Sequence, residues 1–243
     1  MIVQGCLNGA RPPSYHPRLP VTPGAIVADA VAAVSAGAHE LHIHIRDDEG
    51  RETLAPAFLD RTLAEPRGFL PGTFIGISTG AWIEANDERR LAYVDAWNEL
   101  PDYASVNLGE ADALNVIEAL VQRGVGIEAG IATVGDVERF LALELAPLSL
   151  RVLIEIGEQD AAEAHAVADA ILARLAVAGV RKPILLHGAD LMVWSFVERS
   201  ARALFSTRVG LEDGKTLPDG SAAPSNAAII AAAVEIMASR KGA

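Results

Sequence analysis

Short β-branched and aliphatic runs alternate with longer stretches in which Ala and Leu recur at helical spacing, along the whole chain. That alternation is the pattern of parallel strands joined by crossover helices. It predicts strands near residues 2–6, 39–45, 74–78, 102–107, 125–129, 150–156, 183–187 and 205–211. The intervening segments predict helices near 23–37, 56–65, 87–99, 111–123, 134–145, 160–178, 190–203 and 225–240. Eight strand–helix units point to an α/β fold, a (β/α)8 TIM barrel, rather than an open doubly wound sheet. Local signals set several helix starts: Thr22 before Pro23 offers a capping hydroxyl, and Asn86 precedes the carboxylates of Asp87 and Glu88.

The length of 243 residues fits one such barrel, and no linker rich in Pro, Gly and Ser divides it, so residues 1–243 are expected to form one catalytic domain. Half the residues are hydrophobic and few are aromatic, which suits a large core under Ala-rich helices. A net charge of −12 argues against a nucleic-acid or anionic-membrane partner, since either needs a basic face. With one cysteine, Cys6, no disulfide forms within the chain. The N-terminal residues lack a signal-peptide pattern and no apolar run reaches membrane-spanning length, so a soluble cytoplasmic protein is expected.

Barrel enzymes draw their catalytic groups from the C-terminal ends of the strands, and here those ends are polar. The second strand ends in His42, His44, Arg46 and Asp47, the third in Ser78 and Thr79, and the fourth in Ser105 and Asn107. The fifth to eighth contribute Glu128, Glu155, His187, and then Arg208, Glu212 and Asp213. Alternation along a strand puts His42 and His44 on one face, where two imidazoles can share a metal ion. The same parity over 205–211 aims Arg208 and Glu212 inward, with Val209 and Leu211 outward. Buried charges need partners or a metal, so this concentration suggests a site, although a structural Arg208–Glu212 pair is the plainer reading of those two alone.

Ser78, Ser105 and Asn107 on their own read as residues that satisfy loop backbone, and Glu155 as facing water at the barrel end. Trp82, Trp97 and Trp194 read as core or interface rather than as a stacking platform. The long loop from Asn8 to Pro20, which carries Arg11, lies on the face where an active site is expected. Glycine-rich phosphate fingerprints and Cys-x-x-Cys are absent from the sequence.

Seven motifs then fall in one order: Leu7-Asn8-Gly9-Ala10, Leu19-Pro20-Val21-Thr22-Pro23, Ala36-Gly37-Ala38 leading into His42-Ile43-His44-Ile45-Arg46-Asp47, Ile77-Ser78-Thr79-Gly80, Ala104-Ser105-Val106-Asn107-Leu108-Gly109, Arg208-Val209-Gly210-Leu211-Glu212-Asp213, and Ser225-Asn226-Ala227. In these the chain resembles the β-keto acid cleavage enzymes. The resemblance implies a zinc-dependent barrel acyltransferase, in which a β-keto acid and acetyl-CoA give acetoacetate and a new acyl-CoA. It implies His42, His44 and Glu212 as zinc ligands, Asp213 as base and Arg208 as its assistant. Ser78 and Ser105, with Thr79, Asn107 and Glu128, are expected at the substrate, and the protein is expected to be a homo-oligomer. Gly80-Ala81 replaces a double glycine, Glu128 stands alone where relatives often show two acids, and a C-terminal extension usual in the family is missing. Arg11 occupies a position that is acidic in some relatives, which predicts a β-keto acid with an acidic or polar far end. A zinc-dependent barrel hydrolase acting on a small carboxylate-bearing substrate, with His187 or Asp213 shuttling the proton, is the alternative, and a non-catalytic binding protein the third.

Overall fold

The structure is a computed structural model and describes residues 1–239. Strands β1 (Val3–Cys6), β2 (Glu40–Ile43), β3 (Phe74–Ser78), β4 (Tyr103–Asn107), β5 (Gly126–Ile131), β6 (Ser149–Ile156), β7 (Ile184–Gly188) and β8 (Thr207–Val209) alternate with helices. The helices are α1 (Pro23–Ser35), α2 (Pro56–Phe69), α3 (Asp87–Ala96), α4 (Ala113–Gln122), α5 (Val134–Ala142), α6 (Ala161–Val177), α7 (Val193–Ala203) and α8 (Asn226–Ser239). All strand pairs are parallel, in the order β7-β6-β5-β4-β3-β2-β1-β8, and a Leu185–Ser206 bridge brings the two ends together. The predicted eight-unit barrel is what forms.

Capping chemistry fixes several helix starts. Thr22 accepts from Ala25 N, Asn86 from Arg89 N and Asp160 from Glu163 N, while Thr133 and Asp136 cap each other reciprocally. Helix α2 runs past the predicted end at 65 because Pro66 falls in its last turns, where one lost backbone bond is tolerated. The segment expected as a helix from 190 opens instead with a 3-10 turn over Asp190–Met192, and the position expected to end the last helix, residue 240, lies outside the described residues.

The apolar core is the ring between sheet and helices. Leu41, Ile43, Ile75, Ile77, Ala104, Val106, Ile127, Ala129, Val152, Ile154 and Val209 point outward into it. The barrel interior is polar. Gln4, Glu40, Tyr103, Glu128 and Arg151 fill a lower layer, with Arg151 Nε 2.7 Å from Glu128 Oε1 and ion-paired to Glu40, and Gln4 donating to Glu128 at 2.9 Å. Gly76 makes room for this layer, since a Cβ there would lie 1.9 Å from the Tyr103 ring. Above it, the same inward parity carries Cys6 and His42 and then His44, Ser78 and Ser105 to the C-terminal mouth.

Candidate active site

His42 is the upper of the two inward residues of β2, above Glu40, and His44 lies just past the strand's end. The side chain of Asn8 stands in for a missing strand partner there. Its Oδ1 accepts from His44 N at 2.8 Å, and its Nδ2 donates to the His44 carbonyl at 3.0 Å. Glu212 arrives by a route the parity argument did not foresee. Strand β8 stops at Val209, and a tight turn follows in which Asp213 N and Gly214 N both donate to the Gly210 carbonyl. The turn is pressed onto β1: a Cβ on Gly210 would meet the Cys6 carbonyl at 1.8 Å. Asn226 clips it there, accepting from Leu211 N at 2.6 Å and donating to the Leu7 carbonyl at 2.8 Å. Glu212 therefore reaches the histidines from a turn beyond the strand, where it forms an ion pair with Arg208.

His42, His44 and Glu212 each offer a ligand atom within 4.8 Å of the others. His42 Nδ1 and Glu212 Oε2 are buried without any hydrogen-bond partner, a costly condition that a bound cation would relieve. Burial holds the His42 pKa well below its ordinary value, keeping the neutral imidazole that ligates metals. Burial also opposes protonation of His44, but Glu212 and Glu52 beside it raise its pKa to about 9. For Glu212 burial disfavours the anion, yet Arg208, His44 and His42 hold its pKa well below the usual carboxylate range. Glu52 Oε1 lies 2.5 Å from His44 Nδ1, which turns His44 Nε2 toward Glu212 at 3.5 Å. These residues fit a divalent metal ion, with one carboxylate placed behind a histidine ligand.

A cavity of about 410 Å³ opens above the triad, lined by Ala10, Arg11, Pro12, His42, His44, Ser78, Trp82, Ser105, Asn107, Glu155, Arg208 and Glu212. Most sequence-derived site residues are brought together here. Three are placed elsewhere. Thr79 is buried and gives its hydroxyl to the Ser105 carbonyl at 2.8 Å, bracing β3 against β4. Glu128 is fully buried in the ionic layer below, where it balances Arg151 rather than meeting a molecule in the cavity. Asp213 is beneath the lining, 2% exposed, with Oδ1 3.1 Å from His187 Nδ1 and 3.7 Å from Arg208 Nε. Glu155 lines the cavity instead of facing outward, and its Oε2 is 3.4 Å from His187 Nε2.

Arg11 does not present an open fork. Its Nε donates to the Glu212 carbonyl at 2.9 Å, and its Nη2 pairs with Asp190 at 2.7 Å and approaches the Asp213 carbonyl at 3.4 Å. The guanidinium also lies 4.5 Å over the Tyr15 ring. Arg11 thus braces the Glu212–Asp213 turn while lining the cavity. Glu52, in a loop without periodic signal, was not legible as a site residue, and Trp82, expected in core or interface, is instead 53% exposed and lines the cavity.

The sequence pattern of the family described as beta-keto acid cleavage enzyme matches residues 1–242, nearly the whole chain. This chain belongs to that family. Among curated proteins it is similar to a 3-keto-5-aminohexanoate cleavage enzyme of Acetoanaerobium sticklandii, 31% identical over 110 residues that cover 45% of this chain and 39% of that protein. It is also similar to one of the same name from Fusobacterium nucleatum, at 27% over 57% of this chain and 55% of the other. A 3,5-dioxohexanoate:acetyl-CoA acetone transferase of Paraburkholderia graminis is 38% identical over 40% of this chain and 31% of its own length. The matched stretches thus span less than two thirds of each of these relatives. Among solved structures, ObcA superposes with a TM-score of 0.74 at 18% identity, covering 93% of this chain and 63% of the other. A dihydropteroate synthase from Vibrio fischeri gives 0.56 at 16% identity, over 100% and 94%. Those two likenesses speak to the fold alone. No helix among the described residues is long and apolar enough to cross a membrane.

Proposed function

We propose that this protein cleaves a β-keto acid by reaction with acetyl-CoA, giving acetoacetate and a new acyl-CoA, with zinc held by His42, His44 and Glu212. The observation that carries the reading is the convergence of two histidines, a carboxylate with an orphaned oxygen and a buried arginine at the floor of one cavity, in a chain that matches the family almost end to end. The names of the similar proteins, two keto-acid cleavage enzymes and an acetyl-CoA transferase, point to the same chemistry.

His42, His44 and Glu212 would hold a divalent ion, which would supply Lewis-acid polarisation of the β-carbonyl and make the C2 protons more acidic. Ser78, Ser105 and Asn107 line the same cavity and hold the substrate carboxylate and keto end through their hydroxyl and amide donors. Asp213, with Oδ2 buried and unpartnered below the floor, takes the C2 proton. C2 then bonds to the acetyl carbonyl carbon as its C–S bond to CoA breaks, the CoA sulfur bonds to the former β-carbonyl carbon, and the C2–C3 bond breaks, with C2 taking back the proton from Asp213 to give acetoacetate and the new acyl-CoA. Arg208, fixed between Glu212 and Asp213, stabilises the negative charge as it moves between oxygens. Incubation of the zinc-loaded protein with a panel of β-keto acids, with and without acetyl-CoA, tests the reading: acetoacetate must form only when acetyl-CoA is present.

A further inference from the structure

The cavity has two unlike ends. Its floor is polar, with His42, His44, Ser78, Ser105 and Arg208, whereas Ala10, Pro12 and Trp82 contribute an apolar rim. The cation that lines that rim, Arg11, is already matched by Asp190. Trp82 dominates this rim: 53% of its surface is exposed, although the ring is firmly held. Its Nε1 donates to the Glu52 carboxylate at 3.2 Å, and Gly80 lies directly under the ring, where a Cβ would come within 2.1 Å. Because Glu52 is bonded in turn to His44, the indole sits two hydrogen bonds from the metal triad. That is too near for the adenine at the far end of a pantetheine arm, and right for the substituent beyond the β-carbonyl.

Resting on the functional reading above, we propose that Trp82 is a specificity residue: its clamped indole is the wall against which the distal group of the substrate packs. The substrate class is then β-keto acids whose far end is uncharged and apolar or aromatic, since a pre-held aromatic face rewards flat apolar surface and leaves a buried charge without a partner.

The test compares wild type, Trp82→Phe and Trp82→Ala on two β-keto acids of similar length, one ending in phenyl and one in carboxylate. Binding of the corresponding non-cleavable 3-hydroxy acids to the zinc-loaded protein is followed by calorimetry. Wild type should prefer the phenyl-ended pair in both measurements. Trp82→Ala should raise KM and Kd for the phenyl-ended compounds roughly 10- to 100-fold and for the carboxylate-ended ones by less than about threefold. Trp82→Phe, which keeps a ring but loses the bond to Glu52, should stay near wild type. Equal losses on both substrates, equal losses in Phe and Ala variants, or an effect confined to the KM for acetyl-CoA would each overturn the proposal. If wild type turns over neither acid, the functional reading fails, while the calorimetric comparison still decides whether Trp82 selects apolar ligands.

Discussion

Gly9→Ala is the perturbation whose consequence the structure determines most closely. Gly9 follows the Asn8 clip and has φ of +53°, in the left-handed region. A Cβ there would lie 2.4 Å from Cγ of Glu212 and 3.0 Å from its carboxyl carbon, where ordinary contact begins at 3.4 Å. Glu212 would have to retreat by about an ångström, away from the histidines. A left-handed alanine costs about 1–2 kcal/mol whatever its neighbours, and that part has an internal control. Gly72, at φ +81°, has nothing within 4 Å of its would-be Cβ. Gly9→Ala and Gly72→Ala should therefore lose similar stability from backbone conformation, but only Gly9→Ala should displace a ligand carboxylate. Displacements around a metal site typically lower metal affinity about 10- to 100-fold. Zinc affinity by competition with a chromophoric chelator, alongside thermal unfolding, separates the two effects. Unchanged zinc affinity in Gly9→Ala would refute the placement of Glu212 as a ligand.

Other outcomes follow from the same geometry. His44→Ala should lose most bound zinc while the barrel stays folded by circular dichroism; full metal content in that variant would contradict the triad. Asp213→Asn should lower kcat roughly 10²- to 10⁴-fold with metal content intact, as removal of a general base does, and steady-state kinetics with parallel metal analysis checks this. Burial raises the Asp29 pKa to about 6 against a bond from Asn226 and the nearby Arg18. Its folded pKa therefore exceeds its unfolded one, so the folded state binds the extra proton and stability falls as pH rises from about 4 to 6. Asp29→Asn should raise Tm above pH 7, and the gain should shrink as pH drops through that window; an equal gain at all pH values would contradict the assignment.

The architecture was legible in the sequence because each element carries its own local signal: β-branched runs for the strands, and capping residues such as Thr22 and Asn86 for the helices. The pair His42 and His44 was equally legible, since strand alternation alone puts them on one face. Glu212 was found through a strand parity that does not apply, because β8 ends at Val209 and the following turn brings it to the same place. Inward parity gave the direction of Glu128 but not its depth, and the structure sets it in the layer below the cavity beside Arg151. Glu52 left no trace and Trp82 was read as core or interface, since a loop residue's position depends on closures such as Arg46 to the Gly9 carbonyl, which span distant parts of the chain. Arg11 was legible as a site residue but not in its orientation, which Asp190 sets from 179 residues away.

The most direct measurement of the central claim is the fate of isotope from acetyl-CoA labelled with carbon-13 in both acetyl carbons. On turnover with an unlabelled β-keto acid, the proposed reaction puts the label in C3 and C4 of acetoacetate and leaves the new acyl-CoA unlabelled. Label that stays in acetyl-CoA while the β-keto acid is consumed would show hydrolytic cleavage and contradict the account.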